Sequence, residues 1–195
     1  MSKVVAITGG IGVGKTFVST IFYDLAGIPC FHSDTEAKKI MNNSSVVKKK
    51  IISIVGPNCY INNKLNTQYL KNKIFSSKTQ LKKINELVHN EVKINFKNWL
   101  NIQSSRYVLK ETAILFEHRY HDEVDLSILV TAPMKLRLKR ICKRDNVSKK
   151  TIEQIIDNQL DDKIKLGLCD FFIENIDKKQ TMQRVKRLIK TFSSI

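Results

Sequence analysis

Four of the seven glycines in this 195-residue chain fall between positions 9 and 14. They spell Gly9-Gly10-Ile11-Gly12-Val13-Gly14-Lys15-Thr16, the spacing G-x-x-x-x-G-K-[ST]. Lys3-Val4-Val5-Ala6-Ile7-Thr8 precedes the glycines as a short apolar run rich in β-branched residues, which predicts a buried strand. Val18, Ile21, Phe22 and Leu25 follow at helical spacing, with Gly27 placed for a C-cap. A strand, a glycine loop and a helix in that order form a cradle for phosphate. Glycines let the backbone turn so that N–H groups converge on an anion, and the helix aims its dipole and first-turn amides at the same point. The amides of Gly10, Ile11, Gly12, Val13 and Gly14, with those of Lys15, Thr16 and Phe17, are therefore the expected nucleotide contacts. Lys15 is placed to reach the β- and γ-phosphates, and the Thr16 hydroxyl to ligate Mg²⁺.

Ile28-Pro29-Cys30-Phe31 reads as a second strand, which completes a βαβ unit and implies a parallel sheet. Strand signals vanish between residues 37 and 104, where apolar residues recur at three and four, as in Ile84, Leu87, Val88, Val92, Phe96 and Trp99. Gly56-Pro57-Asn58 and Asn62-Asn63 mark turns. Tyr107–Leu109, Leu126–Val130 and Phe171–Ile173 restore the strand pattern, and Val185, Leu188, Ile189 and Phe192 line a closing helix. The expected fold is α/β, a three-layer P-loop nucleoside-triphosphatase domain with a five-stranded parallel sheet. Its core spans 1–36 and 105–195, with a short helical lid at about 134–162, and residues 37–104 form a helical acceptor-binding insert.

The loop fixes a Mg-nucleotide site but not the reaction. A guanine reader N-K-x-D is missing, since Asn63-Lys64-Leu65-Asn66 lacks the aspartate. Asp24-Leu25-Ala26-Gly27 matches D-x-x-G but ends the first helix, away from the phosphates. A small kinase fits the length and the helical insert. Asp34 follows the second strand, at the sheet end where ligands gather. It can orient or deprotonate an attacking hydroxyl, or it can N-cap a helix beginning at Thr35. Arg137, Arg140 and Arg144 share one helix face and are three of only seven arginines. They read as lid residues that neutralise the transferring phosphate. His118 and His121 are close, but no further ligand has zinc spacing.

The net charge is +16. The lysines are dispersed, and no zinc finger or RNP signature accompanies them, so the charge reads as composition drift plus a local phosphate site rather than a nucleic-acid surface. No apolar run approaches the ~18 residues of a membrane span. The four cysteines form no C-x-x-C pair, in keeping with reduced thiols in a cytoplasm. A monomer or weak homo-oligomer is expected.

From Val4 to about Asn175 the chain resembles the dephospho-coenzyme A kinase family. The strand and loop Ala6–Thr16 look like that family's own. Its D-A-D motif reads His32-Ser33-Asp34 here, so Asp34 matches the second aspartate and His32 replaces the first. The family's H-P appears as His89-Asn90, and its P-L-L-F-E as Ala113-Ile114-Leu115-Phe116-Glu117, each without the proline. Arg140, Arg144-Asp145, Gln159, Lys165, Cys169-Asp170 and Ile173-Glu174-Asn175 continue the match, and Asp177 stands where a glycine is usual. The resemblance implies ATP-dependent phosphorylation of the ribose 3′-hydroxyl of dephospho-CoA, giving CoA and ADP, with Mg²⁺ as cofactor. It implies Lys15, Asp34 and Arg140 as catalytic residues and ATP contacts at Arg144 and Asn175. It implies acceptor contacts at Asp34, His89, Glu117 and Lys165.

Overall fold

Strand β1 (Lys3–Thr8) lies at the centre of a five-stranded sheet, because its residues are apolar on both faces. Val5, Ala6 and Ile7 are fully buried. The computed structural model describes residues 2–75, 77–117, 120–144, 152, 156 and 159–194. His118, Asp145 and most of the expected lid between residues 145 and 158 lie outside the described residues. The chain divides into two compact units, one of Met1–His32 with Gln103–Ile195 and the other of Ser33–Ile102.

In the first unit β1 is followed by α1 (Lys15–Ala26) and β2 (Cys30–His32). Then come β5 (Tyr107–Glu111), β6 (Leu126–Thr131), α6 (Met134–Arg144), α7 (Asp162–Leu166), β7 (Phe171–Glu174) and α8 (Lys178–Ser194). The sheet order is β2-β5-β1-β6-β7, and every pairing is parallel. β1 pairs with β5 on one side, Ile7 opposite Glu111, and with β6 on the other, Ile7 opposite Ile128. The chain leaves β1 towards β2 on one side and leaves the adjacent β6 towards β7 on the other, so a crevice opens at the carboxyl ends of β1 and β6, where the glycine loop begins. Strand β2 starts at Cys30 rather than at Ile28.

The two-residue period of β1 sorts the core into layers. Val5 and Ile7 pack with Val18, Phe22, Val185 and Phe192 of α1 and α8, whereas Ala6 packs with Leu115 and Phe116. Phe192 is the hub of the first layer. Its ring stacks on Phe22 and Tyr107 at 6.0 and 5.2 Å and meets Phe171 edge-on at 5.8 Å. Leu25, expected on the buried face of α1, is 40% exposed in the last turn before the Gly27 cap.

The second unit holds α2 (Ser33–Asn43), α3 (Ser45–Val55), α4 (Thr67–Phe75) and α5 (Lys78–Asn101). Ser44 and Ser77 cap α3 and α5 by accepting the Val47 and Gln80 amides. Ile40, Val47, Ile51, Val55, Leu70, Ile84, Val88, Val92 and Phe96 are buried in this unit. The reading of 37–104 as free of strands is corrected by a hairpin of β3 (Tyr60–Ile61) and β4 (Lys64–Leu65). Asn62 and Asn63 both take positive φ, 48° and 65°, as a two-residue hairpin turn requires. Strands of two residues are too short to leave a periodic signal. Tyr60, donating to the Met41 carbonyl at 2.7 Å, and the Leu65 amide, donating to Asn42 at 3.0 Å, hold the hairpin to α2. Among the described residues no helix is long and apolar enough to cross a membrane.

Candidate active site

The glycine loop is built into the unit from its outer side. Gly9 has φ 139°, and a Cβ there would lie 2.1 Å from the Val130 carbonyl oxygen of β6. Gly14 has φ 90° at the N-cap of α1, with the Asn175 amide nitrogen 2.4 Å from where a Cβ would stand. Only glycine meets both demands. The loop's carbonyls are held by long-range donors. Arg137 Nε donates to the Ile11 carbonyl at 2.9 Å, while the Val13 carbonyl accepts from Arg140 Nη1 at 3.1 Å and Asn175 Nδ2 at 2.7 Å. The Ile11 amide donates to Gln159 Oε1 at 3.0 Å. These bonds fix the peptide planes. The first-turn amides of α1, including those of Thr16 and Phe17, have no acceptor within the helix and supply its anion-binding end. Phe17 itself packs against the sheet core.

Arg137, Arg140 and Arg144 therefore separate in role although they share α6. Arg137 is 5% exposed and also pairs with Asp162 at 3.3 Å. Arg140 joins the loop to the Asn175 carbonyl at 2.9 Å. Arg144 is exposed at the end of the helix. Asn175 is buried just after β7; its Oδ1 accepts from Thr181 at 3.0 Å and its amide donates to the Thr131 carbonyl at 2.8 Å.

On the inner side, Lys15 Nζ lies 2.9 Å from the Gly9 carbonyl, reaching back across the loop. The Thr16 hydroxyl donates to Glu111, 3.1 Å from Oε1 and 3.3 Å from Oε2. Glu111 ends β5 with its side chain 12% exposed, and its Oε2 lies 2.5 Å from His32 Nδ1 on the adjoining strand. Burial pushes the Glu111 carboxyl up, but His32, Lys15 and the Thr16 hydroxyl outweigh burial and hold it below its ordinary range. His32 is raised to about 10 by its contacts with the Cys30 side chain and Glu111. Glu111 escaped the sequence reading. Its only trace in the sequence is a carboxylate two residues past the apolar run Tyr107–Leu109, which gains meaning once the register sets it opposite His32.

Glu117 and Lys165 form an ion pair at 2.6 Å with the lysine fully buried, and the Leu160 amide donates to the same carboxylate at 3.2 Å. The pair ties α7 to the segment after β5, and the Leu160 amide ties the chain just before α7 to the same carboxylate. In the second unit, Asp34 is exposed in the first turn of α2, where a carboxylate is favoured by the helix dipole. The helix starts at Ser33, so Asp34 is not the N-cap of a helix beginning at Thr35. His89 is half-buried on α5.

Hard oxygen donors from Thr16 and Glu111, side by side at the mouth of the loop, are a donor set that suits Mg²⁺. A doubly wound parallel sheet with this loop, lysine, hydroxyl and carboxylate defines a P-loop kinase, which passes a nucleotide's phosphoryl group to a hydroxyl. The model of one family, dephospho-CoA kinase, matches residues 3–180, and the chain belongs to that family. Its relatives include the dephospho-CoA kinase of Bacteroides fragilis, 35% identical over 97% of this chain and 92% of that protein. That of Porphyromonas gingivalis is 34% identical over 96% and 93%. Among solved structures, a Thermus thermophilus protein superposes with a TM-score of 0.87 at 23% identity, covering 97% of both chains. Dephospho-CoA kinase from Campylobacter jejuni gives 0.73 at 24%, covering 100% of this chain and 98% of that one. The chain is thus an ATP-using transferase of coenzyme A biosynthesis.

Proposed function

We propose that this chain transfers the γ-phosphoryl group of Mg-ATP to the ribose 3′-hydroxyl of dephospho-CoA, with Asp34 serving the hydroxyl and Thr16 and Glu111 holding the metal. The observation that supports this most directly is the Thr16 hydroxyl seated on the Glu111 carboxylate beside the loop. Loop amides and Lys15 bind the triphosphate and orient its γ-phosphorus. Thr16 and Glu111 would hold Mg²⁺, which would supply positive charge to offset that of the triphosphate. Asp34 accepts the 3′-hydroxyl proton as the new O–P bond forms, and the bond to the β-phosphate oxygen breaks to release ADP. Arg140 adds positive charge at the loop. Arg144 and Asn175 belong to the ATP side, Asn175 by fixing the Val13 carbonyl. His89 serves the acceptor. Glu117 and Lys165 act through their ion pair, which positions the chain around Gln159.

The test is ADP release from Mg-ATP with dephospho-CoA, against AMP, CMP, RNA and no acceptor. Release that requires dephospho-CoA, with CoA formed in equal amount, is expected. Release stimulated instead by another acceptor, or by RNA, overturns the assignment.

A further inference from the structure

Cys30, His32 and Glu111 meet at one end of the sheet. Cys30 and His32 are two apart on β2, so they share a face, and Phe31 between them turns into the core at 6% exposure. Register sets His32 opposite Glu111. Cys30 Sγ lies 4.0 Å from His32 Nδ1, His32 Nδ1 lies 2.5 Å from Glu111 Oε2, and the three donor atoms all fall within 4.8 Å of one another. Tetrahedral zinc, with bonds of about 2.0–2.3 Å, wants donors roughly 3.3–3.8 Å apart. Side-chain rotation alone spans that difference. Cys30 and His32 are half-buried, so a cation can enter and a water can complete its shell.

We propose that Cys30, His32 and Glu111 form a binding site for a thiophilic divalent cation, of which zinc is the probe, and that its occupation draws Glu111 off the Thr16 hydroxyl. A thiolate with an imidazole selects such a cation over Mg²⁺, which prefers oxygen donors. The cation takes the place of the proton shared by His32 and Glu111 and of the thiol proton, and both leave to solvent. The site is separate in chemistry from the Thr16–Glu111 pair but shares one carboxylate with it, so the two cations compete.

Binding is read first without nucleotide, by titrating zinc into the full chain against a chromophoric chelator and by following sulfur-to-cobalt charge-transfer absorption with Co²⁺. One equivalent is expected to bind. Cys30→Ser and His32→Gln should each weaken binding at least ~10-fold, since even partners outside the ligand shell cost that much. Cys142→Ser, at an exposed thiol, should leave it unchanged. Uptake that ignores Cys30→Ser and His32→Gln, uptake lost with Cys142→Ser, or no uptake, overturns the site. Thermal melts show that each variant is folded. The second reading rests on the proposed function. Zinc should inhibit Mg-ATP turnover by the unmodified chain and inhibit Cys30→Ser more weakly. Equal inhibition of the two overturns the competition while leaving the binding result to stand by itself.

Discussion

In the proposed transfer Lys15 and Asp34 have separate tasks, one holding phosphate and the other serving the hydroxyl. Lys15→Ala and Asp34→Asn are each expected to lower turnover at least ~100-fold, with circular dichroism unchanged because neither side chain is in the core. An Asp34→Asn chain at near-normal rate would remove that residue from the proton transfer. The His32–Glu111 pair makes a different prediction. His32 is raised from its ordinary 6.5 to about 10, by the Cys30 contact first and then by Glu111, so its contribution to stability is complete below about 6.5 and is lost as pH climbs through 10. Glu111 is lowered, so its contribution is complete above the usual glutamate range and is lost as pH falls through its depressed value. Both are present together at pH 5 to 6.5 (about the interval between the two ordinary values). The melting difference between the native chain and His32→Ala should therefore be largest there and shrink by pH 10.

At the scale of elements, the sheet was readable in the sequence because its strands are continuous apolar runs, and the loop because its glycines are a third constraint on top of strand and helix. The hairpin at Asn62-Asn63 was not, since two-residue strands have no period. Glu111 was not, because a carboxylate at a strand end means nothing until register sets it against His32 and the loop brings Thr16 to it. Nor was the division of labour along α6, since one helix face does not reveal that Arg137 is buried against Ile11 and Asp162 while Arg144 meets solvent. Lys165 shows the same limit, since nothing in the chain marks it as fully buried against Glu117. The clamp itself is testable. Asn175→Ala removes one of the two donors to the Val13 carbonyl, and with Arg140 still bonded to that oxygen the loss should cost about 0.5–1.5 kcal/mol in denaturant titration. ATP binding should weaken with it, because the loop's amides lose their fixed planes. Unchanged ATP affinity would show that the loop holds its shape without the asparagine.

For the whole molecule, α8 is the keystone of the larger unit. Phe192 touches rings from α1, β5 and β7 at once, so Phe192→Ala should cost about 3–5 kcal/mol in chemical denaturation, the usual penalty for emptying a buried aromatic site. A cost under a kilocalorie would mean that the layer closes over the gap. The strand order has a consequence for how the chain is made. β1 leaves the ribosome long before its two neighbours, β5 and β6, which begin at residues 107 and 126, and the donors that shape its glycine loop stand at 137, 140 and 175. A nascent chain stopped near residue 130 carries every letter of the phosphate-binding motif and no finished cradle. Only once residue 175 has been made do the loop's carbonyls have all of these donors.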